Sequence, residues 1–143
     1  VLLTPTKETS MQATEKVKAM WQAAGAIVEI MGVEHHDRVL AATSHLPHML
    51  AFGLVDSLAK QEQSEEIFRY AAGGFRDFTR IASSDPTMWR DICIHNRDAL
   101  LAALKNYEQD LHEIHDAIEA GDAESLQNIF TRAKQARDQL SQD

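Results

Sequence analysis

From Pro86 to Ala120 nothing in this sequence stops a helix. No glycine or proline intervenes before Gly121, and Asp85-Pro86 is a start signal, with aspartate at the cap and proline at the first helical position. A helix of that span is about 50 Å long at the standard rise per residue. A compact domain of this size has a radius of gyration of only about 13 Å. Along it Leu100, Leu104, Tyr107, Leu111, Ile114 and Ile118 alternate in steps of four and three, a seam suited to another helix. Asp122 caps a last helix to about Leu140, and antiparallel packing on that helix would also satisfy the seam. The length favours a homodimer.

The chain begins differently. Val1-Leu2-Leu3 reads as a short buried strand with Thr4-Pro5 as its exit, and about Glu8 to Ala24 has helical spacing through Met11, Val17, Met20 and Trp21. Gly25 ends that helix, and Ala26 to Met31 is β-rich. Strand, helix, strand is a crossover unit that needs neighbouring strands, and none follow. The opening therefore reads as the tail of an α/β domain, in a piece of a longer polypeptide. After Gly32 everything is helical. Glu34 to about Lys60 carries a dense apolar face, Ser64 caps a short helix through Tyr70, Gly73-Gly74 breaks it, and another short helix covers about Phe75 to Ala82. The expected fold is mainly α. A β-α-β remnant over residues 1–31 precedes an all-helical domain over 32–143.

Composition narrows the function. With 14 basic against 22 acidic side chains the net charge is −8, which argues against a nucleic-acid partner because no broad surface would release counterions. No apolar run approaches membrane-spanning length. Cys93 is alone, so no internal disulfide forms and a reducing cytoplasm is the expected location. A small anion remains allowed, because five of the eight arginines lie between Arg69 and Arg97, where no lysine occurs. Arginine without lysine suggests forked hydrogen bonding to a carboxylate or phosphate. Asp77, Asp85, Asp91 and Asp98 are interleaved, so a solvated face of Arg–Asp pairs explains the spacing equally well.

Two stretches can carry chemistry. In Ser44-His45-Leu46-Pro47-His48, Pro47 lacks an N–H, so the carbonyl of Thr43 loses its partner and the helix should kink. Polar groups held there must find partners, structural or ligand. Further on, Arg76, Arg80 and Ser84 recur at four-residue spacing with Asp77 beside them, offering guanidinium groups and a hydroxyl to an anion. Trp89 follows, and core packing is its ordinary role. Gly73-Gly74 is too short for a phosphate loop, and no dinucleotide fingerprint or nucleophile–base triad is present. No metal site is expected. His112-Glu113-Ile114-His115 is one residue short of the zinc spacing, the paired Glu-x-x-His helices of di-metal bundles are absent, and His112 and His115 should face solvent.

These motifs, Ser44-His45-Leu46-Pro47-His48, Gly73-Gly74-Phe75-Arg76-Asp77-Phe78-Thr79-Arg80-Ile81 and Ser84-Asp85-Pro86 with Met88-Trp89-Arg90-Asp91-Ile92, resemble those of the prephenate/arogenate dehydrogenases of tyrosine biosynthesis. His36-Asp37-Arg38 and Leu3-Thr4-Pro5 do so too. The resemblance implies a nucleotide-binding domain of Rossmann type followed by a helical domain that dimerises. It implies NAD, or NADP, as cofactor, bound mainly by an N-terminal part outside this chain. The implied reaction moves a hydride from the hydroxyl-bearing ring carbon to nicotinamide, with loss of carbon dioxide and aromatisation. By position, Arg80 would bind a substrate carboxylate, and His48, the catalytic candidate, and Ser44 would line the pocket near nicotinamide and substrate. Ser84 would add a hydrogen bond, Trp89 would reach the other subunit's pocket, and Asp77 would join an ionic network gating entry. The chain alone should be inactive. A silent helical module that dimerises or senses tyrosine, or an arogenate-specific enzyme, stays open at this point.

Overall fold

A computed structural model describes residues 1–140, and among these two very short strands flank the first helix and the rest is helical. Strand β1 (Leu2–Leu3) leads through a loop to helix α1 (Met11–Ala23), then strand β2 (Glu29–Ile30). The strands pair with each other in parallel, Leu2 opposite Glu29 and Leu3 opposite Ile30, so the crossover closes on itself. Ser10 caps α1 by accepting from the Ala13 N–H at 3.1 Å. Gly25, at φ +84°, ends it: its own N–H reaches Gln22 O and the Ala26 N–H reaches Trp21 O, a Schellman pair that needs a left-handed residue. Yet α1 buries no residue, and Met11, Met20, Trp21 and Ile27 are all exposed. The segment has the local signals of a βαβ unit without a core of its own.

Helix α2 (Val33–Leu40) runs into a π-turn (Ala41–His45) and on into α3 (Leu46–Ala59). The expected kink at Pro47 takes this form. In a regular helix the proline ring would collide with the carbonyl of Thr43. Widening the preceding turn, so that the Leu46 N–H bonds Ala41 O five residues back, relieves that collision. Ala41 and Ala51 are buried here, small enough to let neighbouring backbones approach. Helices α4 (Ser64–Arg69) and α5 (Gly73–Thr79) and a 3₁₀ turn (Arg80–Ser83) pack on α3.

Three local expectations need correction. Ser64 is the first residue of α4 and makes no side-chain cap; Gln63 occupies the cap position. Gly73-Gly74 open α5 instead of standing outside it, and the helix tightens into the 3₁₀ turn after Thr79, whose hydroxyl bonds back to Phe75 O at 2.7 Å. The long helix is also interrupted. It consists of α6 (Pro86–His95) and α7 (Arg97–Ala120), separated by Asn96 at φ −103° and ψ 33°. Asparagine competes for nearby hydrogen bonds and is a poor helix-interior residue. Its side chain here bonds outside its own helix.

Asp85 does cap α6, accepting from the Met88 N–H at 2.7 Å with Pro86 at the first position. Along α6 the residues Trp89, Cys93 and Asn96 form one stripe, and all three touch the π-turn and α3 side: Trp89 meets His48, the Cys93 thiol lies 3.1 Å from the Met49 sulfur, and Asn96 meets His45. The chain divides into two compact units, the first ending at Leu101 and the second starting at Ala102. In the second, α7 ends on Gly121 (φ +64°), with Asp122 N–H bonded to Ala117 O, and Asp122 then caps α8 (Ala123–Gln139) through Ser125. Of the α7 seam, Leu100 and Ala117 beside it are buried while Leu111 and Ile118 are exposed. No helix among the described residues is long and apolar enough to cross a membrane.

Replacing Gly121 by alanine should lower the stability of the protein by about 1 kcal/mol, since a side chain at positive φ is strained while no neighbouring atom obstructs it. Gly53→Ala, in the interior of α3 with equally open surroundings, should change stability little or raise it. Urea denaturation of the two variants checks the contrast.

Candidate functional site

The π-turn decides which polar groups face α6. His48 Nδ1 lies 2.8 Å from the carbonyl oxygen of Ser44. A carbonyl only accepts, so Nδ1 carries the proton and donates, and in the neutral ring Nε2 keeps a free lone pair. The His48 ring stacks on Trp89, with centroids 3.7 Å apart and planes 20° from parallel. His45, three residues earlier, meets the same indole edge-on at 6.1 Å and 76°. Trp89 is buried, and its indole N–H has no hydrogen-bond partner among the described residues. Its ring is packed against His45 and His48 of its own chain.

His45 is held from the other side. Asn96 Nδ2 lies 2.8 Å from the carbonyl oxygen of Asp37 and 3.1 Å from His45 Nδ1. His36 Nδ1 pairs with the Asp37 carboxylate at 3.0 Å. Burial first, and then the neighbouring His36, hold His45 below the ordinary histidine value of 6.5; Asp37 opposes this and His48 adds to it. Sequence reasoning passed over Asn96 because it sat in an apparently unbroken helix. The signal was available: asparagine in mid-helix, a poor helix former, facing along the stripe set by Trp89 and Cys93.

The arginine side of the site is more open. Arg80 starts the 3₁₀ turn that packs on α3, and it is exposed, as are Arg76 and Asp77. None of these three side chains makes an ion pair or hydrogen bond among the described residues, so the interleaved-pair explanation fails at Arg76 and Arg80. It holds for Arg90–Asp91, and more loosely for Arg97–Asp98 at 3.4 Å. The tighter turn after Thr79, and the extended backbone at Ser84, take Ser84 out of the expected row with Arg76 and Arg80. The Ser84 hydroxyl donates to Ile81 O at 2.8 Å, which leaves it only acceptor capacity. The Ser44 hydroxyl has no partner among the described residues. Contacts thus unite His48, Trp89, His45 and Ser44, while Arg80 and Ser84 adjoin through the 3₁₀ turn and Asp77 stands on exposed α5.

The sequence carries no dinucleotide fingerprint. Its six glycines include no G-x-G, and the loop from β1 to α1 carries Pro5 and no glycine, so a pyrophosphate has no bare backbone to approach. His112 and His115 are exposed on α7 as expected. His115, Asp116 and Glu119 cluster there at the surface, where such groups are common without an ion.

A family model described as prephenate dehydrogenase, dimerization domain, matches residues 32–132. The chain belongs to the prephenate dehydrogenase family. It is 40% identical over 145 residues to a cyclohexadienyl dehydrogenase of Zymomonas mobilis, covering 100% of this chain and 50% of that protein. To a prephenate dehydrogenase of Bacillus subtilis it is 41% identical over 140 residues, covering 97% and 38%. Among solved structures, prephenate dehydrogenase from A. aeolicus, in complex with hydroxyphenyl propionate and NAD+, superposes with a TM-score of 0.89 at 41% identity, over 97% of this chain and 49% of that one. The chain therefore spans about half the length of such family members or less.

Because His45 binds its proton less readily folded than unfolded, falling pH favours the unfolded state. Stability should be full above about pH 6.5 and decline as pH falls towards the lower folded value of His45. Denaturation midpoints on either side of that pH should differ more in the wild type than in His45→Gln; equal differences would remove the perturbation.

Proposed function

We infer that this chain is the C-terminal, substrate-binding and dimerising part of a cytoplasmic prephenate dehydrogenase, which oxidatively decarboxylates prephenate to 4-hydroxyphenylpyruvate in tyrosine biosynthesis. In this reading residues 1–31 close a nucleotide-binding α/β domain and residues 32–143 are the helical domain. The observation that carries it is the oriented imidazole of His48 stacked on Trp89, and it is supported by the 3₁₀ turn begun by Arg80 packing on the helix that carries His48, with the Arg76 and Arg80 side chains unpaired among the described residues. An acidic protein that keeps Arg76 and Arg80 unpaired has a place for an external anion, and prephenate carries two carboxylates.

Each residue then has a task. Arg80 holds a substrate carboxylate in a fork, with Arg76 one turn away strengthening the local field. His48 presents Nε2 as a neutral acceptor beside the reacting ring, its plane fixed by Trp89 and its tautomer by Ser44 O. The free Ser44 hydroxyl and the acceptor oxygen of Ser84 orient the substrate's polar groups, and Asp77 closes over the entry when a counter-cation is supplied. Bound mainly by the nucleotide domain, NAD (NADP being the variant to test) supplies the hydride acceptor. With NAD bound as hydride acceptor, His48 Nε2 would take the hydroxyl proton as the ring C–H is lost and return it to that oxygen as the carbon–carboxylate bond breaks into the ring, so that the phenol and carbon dioxide form with no net proton released.

The full-length protein should reduce NAD when given prephenate, followed at the nicotinamide absorbance; no turnover with prephenate or arogenate removes the enzymatic reading. Arg80→Ala should raise KM about ten- to a hundredfold with a smaller effect on kcat, the cost of one charge-assisted bond being about 1.5–3 kcal/mol. Arg80→Lys should recover part of this.

For the 143-residue chain itself, the homodimer follows from the exposed Leu101, Leu111, Ile118 and Phe130 of α7 and α8. Sedimentation equilibrium should show a dimer at micromolar concentration, with no tight NAD binding by calorimetry.

A further inference from the structure

Asn96 does something that its position in the chain does not require. A residue that only ended a helix would satisfy local backbone groups, as Asp85 and Asp122 do at their caps. The side-chain amide of Asn96 reaches instead to two partners more than fifty residues earlier, the carbonyl of Asp37 on α2 and the ring of His45 on the π-turn. Chemistry fixes the polarity of both bonds. The atom 2.8 Å from Asp37 O faces a pure acceptor, so it is the amide nitrogen and not the oxygen. That nitrogen carries only donor hydrogens, so His45 Nδ1 at 3.1 Å receives one and must hold a lone pair. In neutral His45 the proton therefore sits on Nε2.

His48 has the opposite tautomer, fixed by the Ser44 carbonyl. Two imidazoles three residues apart, His45 at the end of the π-turn and His48 in the first turn of α3, both against Trp89, thus differ in polarity: Nε2 of His48 accepts, and Nε2–H of His45 donates. A neutral donor beside a neutral acceptor suits a substrate that presents a carboxylate or keto oxygen next to a hydroxyl, without adding charge to the site.

The geometry points to Asn96 as a positioning residue for the proposed dehydrogenase, acting through His45 by holding it as the Nε2–H tautomer. This rests on the functional reading above. Asn96 touches neither His48 nor Trp89 among the described contacts, and its action is confined to the ring of His45 and the backbone of Asp37.

The test uses the full-length protein with 15N-labelled histidine, comparing wild type with Asn96→Asp, a near-isosteric change that replaces the donor by an acceptor. Imidazole 15N spectra of the wild type should show His45 protonated at Nε2. In Asn96→Asp the carboxylate can only accept, so His45 should turn its proton to Nδ1, and kcat/KM for prephenate should fall about tenfold or more. Asn96→Leu, which removes both bonds without offering an acceptor, should give mixed tautomers and serves if the aspartate variant folds poorly. His48, tied to Ser44 O, should keep its own tautomer in both. A wild-type His45 protonated at Nδ1, an unchanged tautomer in both variants, or a switched tautomer with unchanged kcat/KM would each overturn the assignment. A wild-type protein with no turnover sinks the functional reading instead, and the imidazole spectra then decide the role of Asn96 by themselves.

Discussion

The missing N–H of Pro47 sets the rest of the site in motion. A proline inside a helix demands room for its ring against the carbonyl four residues back, and this chain provides it by opening the previous turn to five-residue bonding, Leu46 N–H to Ala41 O. At the end of the opened turn His45 meets Asn96, and in the turn that follows His48 lies against the Ser44 carbonyl. The stack of His48 on Trp89 then locks α6 against the same region, with the Cys93–Met49 sulfur contact one turn further along.

Around this well-ordered polar centre the apolar core is thin. Among the described residues, Ala41, Ala51, Trp89 and Leu100 are the buried apolar residues of the first unit, and Ala117 that of the second. Three of the five are alanines, which bring backbones together but remove little apolar area from water. Larger side chains such as Met11, Ile27 and Phe130 stay exposed. Such a distribution is expected of a protein part whose faces are completed by other domains or a second copy.

The elements were legible in the sequence wherever local chemistry was strong. Gly25 and Gly121 end helices in the left-handed conformation that only glycine adopts freely, and Asp85-Pro86 starts one as its residues require. Family membership was legible from three motifs. The parts misread were those where a side chain finds a distant partner. Asn96 breaks the long helix because Asp37 and His45 are across from it, and periodicity carries no record of that. Ser64 gave up its cap to Gln63, and the arginine row lost Ser84 to a 3₁₀ turn, because one residue's shift in a short helix costs little. Of the candidate site, the sequence singled out His48, Ser44 and Trp89, whereas the ring partners of His48 and His45 and the reach of Asn96 appear only in the geometry of two helices.

The π-turn also has a consequence for how this protein can change over time. A five-residue repeat holds about one residue more than the regular turn, and each α-helical residue advances the helix by about 100°. Losing a single residue between Ala41 and His45 would thus wind the segment back to regular pitch and swing the whole of α2, with Asp37, about a quarter-turn away from Asn96. Ala42 is exposed and the Thr43 hydroxyl donates only to Val39 O one turn back, so a changed side chain at either would disturb this arrangement less than a changed number of residues. The length of this one turn is a stricter inheritance than its spelling.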